Sequence, residues 1–152
     1  MRLVDTMIFV YFDRVGLLEH LLALPELAVT SSVVREVRRW QRAGARVGEA
    51  IANGDLALLD VDLGSETEPM LYFLYRDRDG FGDGEAASMA VAHGRGFSFV
   101  SHDLEAAHKM LSLGIRVLDW PDMLAELEAS GRISQTARQS ALRRISGMMK
   151  GR

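Results

Sequence analysis

Short apolar runs alternate along the chain with longer segments in which apolar residues recur every three or four positions. The runs predict five strands, at 2–4, 26–30, 56–61, 97–100 and 115–118. The segments between them predict helices, at 7–11, 15–24, 31–43, 46–52, 66–77, 85–93, 103–113 and 120–129. Strands that alternate with helices form a parallel sheet with helices on both faces. The pattern therefore predicts an α/β fold, a three-layer α/β/α sandwich with a central parallel sheet of about five strands.

Two further stretches have a distinctive composition. Segment 76–84 (RDRDGFGDG) is polar and rich in glycine, which predicts a turn or mobile loop, and Asp83 is placed to cap the next helix. Segment 134–149 predicts a basic amphipathic helix. No repeat or interdomain linker is present, so we expect one domain over 1–133 followed by a basic C-terminal helix or tail over 134–152.

The distribution of charge is more informative than its sum. A net charge of −3 argues against a polyanionic partner, since nucleic-acid binding depends on Lys and Arg. From position 132 to 152, however, there are six basic residues and no acid. Most of the basic residues are arginine, which contacts phosphate through two hydrogen bonds at once. The tail is interpreted first as a solvated face, with RNA contact as the alternative.

Cysteine is absent, which excludes disulfides, thiolate metal sites and Cys nucleophiles. The first residues form neither a signal peptide nor a membrane span, so we expect a cytoplasmic protein without membrane contact. Segments 15–24 and 134–149 carry more apolar surface than a small sheet readily covers. This surplus predicts self-association, with a homodimer as the expected state.

Four acidic residues stand where the predicted strands and helices would bring them together. Asp5 and Asp103 follow strands, and Glu36 and Glu85 lie in the first turns of helices. Ligand sites of open α/β sheets form beyond the carboxyl ends of the strands. Clustered carboxylates repel one another unless a cation lies between them, and an all-oxygen ligand set favours Mg²⁺ or Mn²⁺. Helix capping and helix dipoles are the alternative explanation for the same four positions.

The order of these motifs resembles that of the PIN-domain family. Segment 4–6 (VDT) resembles the end of the family's first strand, and 30–37 (TSSVVREV) its second motif. Segment 84–90 (GEAASMA) resembles the helix of the subgroup whose third acid is Glu, and 101–103 (SHD) the end of the fourth strand. The resemblance covers about residues 1–130. Met7 departs from the family, in which Asn is frequent at this position.

The resemblance implies a PIN-like nuclease domain that hydrolyses RNA with Mg²⁺ or Mn²⁺. It also implies that the chain is a candidate VapC-type toxin, with a small antitoxin protein as an expected partner beside RNA. The site residues that it implies are Asp5, Glu85 and Asp103 as direct metal ligands, Glu36 as the fourth catalytic acid, and Thr6 and Ser101 as hydroxyl groups that orient carboxylates or water. Basic residues beside Glu36 that could contact phosphate are Arg35, Arg38 and Arg39.

Two other interpretations remain beside this one. Segment 58–64 (LLDVDLG) looks like the opening of haloacid-dehalogenase-type phosphatases, with Asp60 as nucleophile, but too little chain and too few lysines follow it. A non-catalytic PIN-like module that binds RNA or a protein partner is the alternative to a ribonuclease. His102, next to Asp103, is interpreted as a surface residue, with phosphate contact as the alternative.

Overall fold

The structure, a computed structural model, describes residues 1–150; Gly151 and Arg152, the end of the predicted tail, lie outside the described residues. At its centre is a five-stranded sheet in which every pairing is parallel. The strands are β1 (Arg2–Val4), β2 (Leu27–Val29), β3 (Ala57–Leu58), β4 (Ser98–Val100) and β5 (Val117–Leu118). Their spatial order is β3-β2-β1-β4-β5. The predicted α/β fold with a central parallel sheet is confirmed.

Helices connect the strands and cover both faces of the sheet. They are α1 (Thr6–Arg14), α2 (Leu18–Leu22), α3 (Ser31–Val37), α4 (Gln41–Ala52), α5 (Thr67–Phe73), α6 (Asp83–Arg95), α7 (Leu104–Ser112), α8 (Trp120–Ala129) and α9 (Gln135–Lys150), with a π-helical turn at Leu74–Arg78. Most predicted boundaries differ from these by one to three residues, as helix and strand ends commonly do. None of these helices has the length and apolar character needed to cross a membrane.

Successive residues of the strands enter two separate cores. Val4 and Val100 belong to the first core, with side chains from α1–α4, α8 and α9. Leu3 and Phe99 belong to the second core, with side chains from α5, the π-helical turn, α6 and α7. All four are 0% exposed. Because strand side chains alternate between faces, these apolar runs place the sheet as the middle layer of three.

The predicted helix over 31–43 is wrong in one respect, because the chain leaves helical geometry between α3 and α4. Trp40 has φ −106° and ψ 95°, an extended conformation, and α4 begins at the next residue. The two helices then pack closely. A Cβ built on Gly44 would lie 2.9 Å from the Cα of Arg38. A side chain at position 44 would therefore clash with the backbone of Arg38, and glycine avoids that clash.

The glycine-rich segment is more ordered than predicted. Its beginning belongs to the π-helical turn, and α6 starts at Asp83, with Gly82 as the residue before it and no side-chain cap. The prediction that Asp83 caps this helix is wrong. Its carboxylate pairs instead with Arg76 at 2.8 Å and accepts a hydrogen bond from the Tyr72 hydroxyl at 3.2 Å. These contacts join the start of α6 to α5.

Strand β3 is shorter than the predicted strand over 56–61. Beyond Leu58 the chain turns towards α3, where both the backbone N–H and the hydroxyl of Ser31 donate to the carboxylate of Asp60 at 2.7 Å. Asp60 thus ties the end of β3 to the first turn of α3. This structural role accounts for the acid that the phosphatase-like interpretation would use as a nucleophile.

A buried ion pair joins the start of α5 to the end of α6. Glu68 is 6% exposed, and both of its carboxylate oxygens accept hydrogen bonds from Arg95 at 3.0 Å. These hydrogen bonds hold the pKa of Glu68 below its ordinary value. The side chain passes so close to Gly94 that a Cβ there would lie 2.7 Å from its Cγ. The pair therefore helps to hold α6, which carries one of the candidate site acids.

The predicted tail helix is packed against the rest of the domain. Ala141 and Ile145 are 3% and 0% exposed and lie in the same core as Val4. The guanidinium of Arg144 donates to the carbonyl of Arg14, at the end of α1, at 3.1 Å. Much of the apolar surface of segments 15–24 and 134–149 is thus covered within the chain. The homodimer stays a prediction, now without the surplus surface on which it was based.

Candidate functional site

The carboxyl ends of β1 and β4, which are neighbours in the sheet, open into a pocket of about 360 Å³. Asp5 follows β1 directly, and Ser101 follows β4. All six of the predicted site residues line this pocket: Asp5, Thr6, Glu36, Glu85, Ser101 and Asp103. The structure thus brings the predicted side chains together, while their roles as ligands or catalytic groups stay predictions.

Asp5 lies at the floor of the pocket and is 8% exposed. It is the N-cap of α1, where one carboxylate oxygen accepts a hydrogen bond from the backbone N–H of Thr6 at 2.9 Å. The other oxygen accepts from the hydroxyl of Ser101 at 3.1 Å. The pKa of Asp5 is raised to about 6, chiefly by burial; the charges of Glu36 and Asp103 also raise it, whereas the two hydrogen bonds lower it.

Glu36 reaches the pocket from α3 and is held at both oxygens. Oε2 accepts a hydrogen bond from the hydroxyl of Thr6 at 2.7 Å, and Oε1 accepts from the backbone N–H of Gly84 at 3.0 Å. A Cβ on Gly84 would lie 2.6–2.7 Å from the carboxylate atoms. The glycine before Glu85 therefore leaves the space in which the Glu36 carboxylate lies.

Asp103 reaches the pocket as the N-cap of α7. Its Oδ1 accepts a hydrogen bond from the backbone N–H of Ala106 at 2.8 Å. Its own backbone N–H donates to the hydroxyl oxygen of Ser101 at 3.1 Å. Ser101 therefore receives a hydrogen bond from Asp103 and gives one to Asp5, so that this buried hydroxyl sets the positions of two acids.

Glu85, in the first turn of α6, has the largest resolved pKa change among the acids of the pocket. Its pKa is raised to about 8, first by burial, then by the charge of Asp5, and then by a side-chain hydrogen bond and the charge of Asp103. The charge of Glu36 adds to these. Without a cation, the carboxyl group of Glu85 is therefore largely protonated at neutral pH.

The arrangement gives two different indications about a metal ion. Within residues 1–150, no three acidic or histidine side chains are arranged as closely as the ligands of one ion. The acids nevertheless share one pocket, and the pKa values of Asp5 and Glu85 show that their charges interact. Carboxylates without a counter-ion repel one another, so some separation is expected. By donor chemistry, an all-carboxylate pocket suits Mg²⁺ or Mn²⁺.

The rim of the pocket carries groups of a different kind. Arg39 and Trp40 line it from the segment between α3 and α4, whereas Arg35 and Arg38 line a separate pocket between those helices. Of the three arginines that the sequence offered as phosphate contacts, the structure therefore places Arg39 at the site. Trp40 is also partly buried against the first core.

His102 was interpreted from sequence as a surface residue, but it also lines the pocket. Its Nδ1 lies 2.8 Å from Oδ2 of Asp119, the N-cap of α8, and its ring meets Tyr11 edge-on at 6.0 Å between centroids. The signal in the sequence was its place beside Asp103 at the end of β4. The partner that orients it, sixteen residues after Asp103, could not be identified without the fold.

No protein-family model matches the chain, and no curated protein matches it. Its function is therefore inferred from the residues and geometry of the pocket.

Proposed function

We propose that the chain is a Mg²⁺- or Mn²⁺-dependent endoribonuclease of the PIN type. The observation that carries this proposal is a pocket with four acids at the carboxyl ends of two adjacent parallel strands. Two of those acids, Asp5 and Glu85, have pKa values raised to about 6 and about 8. The raised pKa values mean that the negatively charged forms of these acids are disfavoured in the pocket. A divalent cation would offset their repulsion, so the pocket is suited to such an ion.

Asp5, Glu85 and Asp103 are the residues that would hold the ion. A bound divalent ion supplies an activated water and neutralises charge on a phosphodiester. Both oxygens of Glu36 already accept hydrogen bonds, from Thr6 and from the backbone of Gly84. Glu36 is therefore better suited to accept a hydrogen bond from water in the pocket than to be a principal ligand.

The remaining residues of the pocket orient these acids and meet the substrate. Thr6 and Ser101 position carboxylates through their hydroxyl groups. Arg39 at the rim offers a cation to a phosphate, and Trp40 beside it offers a flat face on which an unpaired base can stack. A rim of this kind favours single-stranded over fully paired RNA, whose bases are already stacked.

A non-catalytic PIN-like module that binds RNA or a protein partner is the second candidate. The observation that favours it is the separation of the acids, since no three of them among residues 1–150 are arranged as ligands of one ion. Such a module needs no metal. A toxin role, with a small antitoxin protein as partner, and a cytoplasmic homodimer belong to the same proposal as the ribonuclease.

The test compares the wild type with Asp103→Asn on a mixed panel of RNAs with Mn²⁺. Asparagine is also an efficient N-cap, so this variant should keep α7 and lose only the carboxylate charge. We expect slow cleavage by the wild type, abolished by EDTA and by the substitution. Equal cleavage by both proteins would indicate a contaminating nuclease. Metal binding in calorimetry without cleavage on any RNA would favour the binding module.

A further inference from the structure

A second pocket, lined by arginines, lies at the far end of α1 from the acids. Four arginines line it, Arg14, Arg42, Arg46 and Arg144, together with the acids Asp13 and Glu19. Its volume is about 360 Å³. Four guanidinium groups against two carboxylates leave an excess of two positive charges, on a chain whose net charge is −3.

Both acids of this second pocket are already paired. Nε of Arg42 lies 3.0 and 3.1 Å from the two carboxylate oxygens of Asp13, and Arg46 pairs with Glu19. Each pair has one well-exposed partner: the side chain of Arg42 is 68% accessible and that of Glu19 is 76% accessible, whereas Asp13 is 13% and Arg46 is 37% accessible. Ion pairs that reach solvent in this way stabilise a fold little. A phosphate can therefore compete with the carboxylates for the same guanidinium groups.

The excess charge comes from Arg14 and Arg144. Arg144 donates one hydrogen bond to the backbone carbonyl of Arg14, which leaves its other N–H groups available. The guanidinium of Arg14 is exposed, and within residues 1–150 it has neither a hydrogen-bond partner nor an acidic partner. Arg14 thus contributes charge to the pocket without holding any element in place.

Helix α1 and the start of α4 contribute residues to both pockets. Met7 and Tyr11 line the acid pocket and Arg14 lines the arginine pocket; these positions follow one another at helical spacing. Thr6 and Arg14 are the first and last residues of α1, so the pockets are about 12 Å apart along the helix. Trp40 lines the first pocket and Arg42 the second.

We infer that the arginine pocket binds a backbone phosphate of the RNA strand, several ångströms from the bond that is cut. This inference rests on the proposed function, since it assigns to the acid pocket a substrate that continues beyond it. Single-stranded nucleic acids are commonly bound by a cationic groove that follows the backbone beside an aromatic residue. Here Trp40 lines the acid pocket and stands two residues before Arg42, which lines the arginine pocket.

The test measures binding of a short, labelled, mixed-sequence RNA in EDTA, where no cleavage occurs, over a range of salt concentrations. The probe variant is Arg14→Gln, and the matched control is Arg143→Gln, which removes an exposed charge from the same helix as Arg144 outside the pocket. We expect Arg14→Gln to weaken binding about fivefold at low salt. The slope of log K against log salt should become shallower by about 0.7, as for one lost phosphate contact on a single strand. Arg143→Gln should change neither.

A second measurement links the pocket to catalysis. With Mn²⁺, Arg14→Gln should raise KM about fivefold for a long RNA and leave kcat unchanged. A dinucleotide has only one phosphodiester, which must lie at the acids, so its cleavage should not change. Equal salt slopes for Arg14→Gln and the wild type, equal losses in both arginine variants, or no RNA binding by the wild type would each overturn the inference.

The two proposals fail in different ways. RNA cleavage by the wild type with no effect of Arg14→Gln would overturn the arginine pocket and leave the ribonuclease intact. A salt slope that depends on Arg14, without cleavage in Mn²⁺, would overturn the ribonuclease and leave the arginine pocket as a site for RNA backbone.

Discussion

The backbone N–H of Gly84 lies 3.0 Å from Oε1 of Glu36, and no side chain larger than hydrogen fits at position 84 without displacing that carboxylate. The two residues are 48 positions apart in the chain. The contact joins α3 to the start of α6 and places Glu36 beside Glu85, the next residue after the glycine. The position of the Glu36 carboxylate therefore depends on the glycine that immediately precedes Glu85.

Replacing Gly84 with alanine should therefore damage the site more than the fold. Alanine is favoured over glycine in a helix by up to about 1 kcal/mol, which offsets the loss of a hydrogen bond worth about 1 kcal/mol. The Glu36 carboxylate, however, must move by a sizeable fraction of an ångström. We expect the free energy of unfolding to change by less than about 1 kcal/mol, and cleavage to fall by up to about 100-fold.

The matched control for this prediction is Gly82→Ala. A Cβ on Gly82 meets nothing within 4 Å, and its φ of −64° suits any residue. Gly82 also lines the acid pocket, so stability should remain close to the wild type and any loss of activity should be much smaller than in Gly84→Ala. Equal losses of activity in the two alanine variants would show that the loop, and not the space around Glu36, is what matters.

The pH dependence of stability should have an unusual sign in the ion-free protein. Asp5 and Glu85 have native pKa values of about 6 and about 8, above their ordinary values of 3.8 and 4.5. Between those limits the native state holds more protons than the unfolded state, so stability falls as pH rises from about 5 to about 8 and is flat above. For Asp5 alone the change is at most about 3 kcal/mol.

This prediction is tested by urea unfolding in EDTA at several pH values from 5 upwards. Below that range Glu68, whose pKa is lowered by Arg95, contributes with the opposite sign. Asp5→Asn should make the profile shallower and leave the contribution of Glu85, whereas Asp55→Asn, at an exposed position outside the acid pocket, should leave it as in the wild type. If stability instead rose with pH over this window, the pKa values of Asp5 and Glu85 would not be raised in the native state.

The location of the site could be predicted from the sequence because it follows from local rules. Apolar runs mark the strands, and an acid directly after a strand lies at the carboxyl edge of a parallel sheet. Asp5 and Asp103 follow neighbouring strands, and both line the acid pocket. That β1 and β4 are neighbours there is a long-range pairing, which no local pattern encodes.

The features that were missed depend on contacts between distant segments. The apolar faces of segments 15–24 and 134–149 looked surplus because their periodicity does not show that both are covered within one core. His102 looked like a surface residue because its partner Asp119 lies on another element. In each case the sequence shows the residue type but does not show which distant residue it contacts.

The hydroxyl of Ser101 should matter for the metal and little for the fold. It donates to Asp5 at 3.1 Å and accepts from the N–H of Asp103 at 3.1 Å, so Ser101→Ala releases two acids at once. Groups that orient metal ligands typically contribute 10- to 100-fold to metal affinity. We expect the apparent Kd for Mn²⁺ in calorimetry to rise by about tenfold.

Ser88→Ala is the control for that experiment. Ser88 is fully buried, yet its hydroxyl has no hydrogen-bond partner among residues 1–150. Removing an unpaired buried hydroxyl should be neutral or slightly stabilising, and it should leave Mn²⁺ affinity unchanged. If both serine variants bound Mn²⁺ as the wild type does, Ser101 would have no role in positioning ligands.

Repulsion among the buried carboxylates lowers the stability of the ion-free protein, and binding of the divalent ion should restore it. This effect can be measured without any RNA. An ion that binds only the native pocket stabilises the fold by about 2.7 kcal/mol at 100 times its Kd. At pH 8 we therefore expect Mn²⁺ to raise the melting temperature of the wild type by several degrees. Asp5→Asn should remove most of this shift because it removes a buried carboxylate that we propose to hold the ion. The same substitution should raise the melting temperature in EDTA, since Asp5 no longer ionises among Glu36 and Asp103.

Asp55→Asn should retain the full Mn²⁺ shift and show no gain in EDTA, which separates the effect of the pocket from a general change in net charge. If millimolar Mn²⁺ left the melting temperature of the wild type unchanged, the result would favour the non-catalytic module. A scaffold that binds RNA or a protein partner does not require the ion.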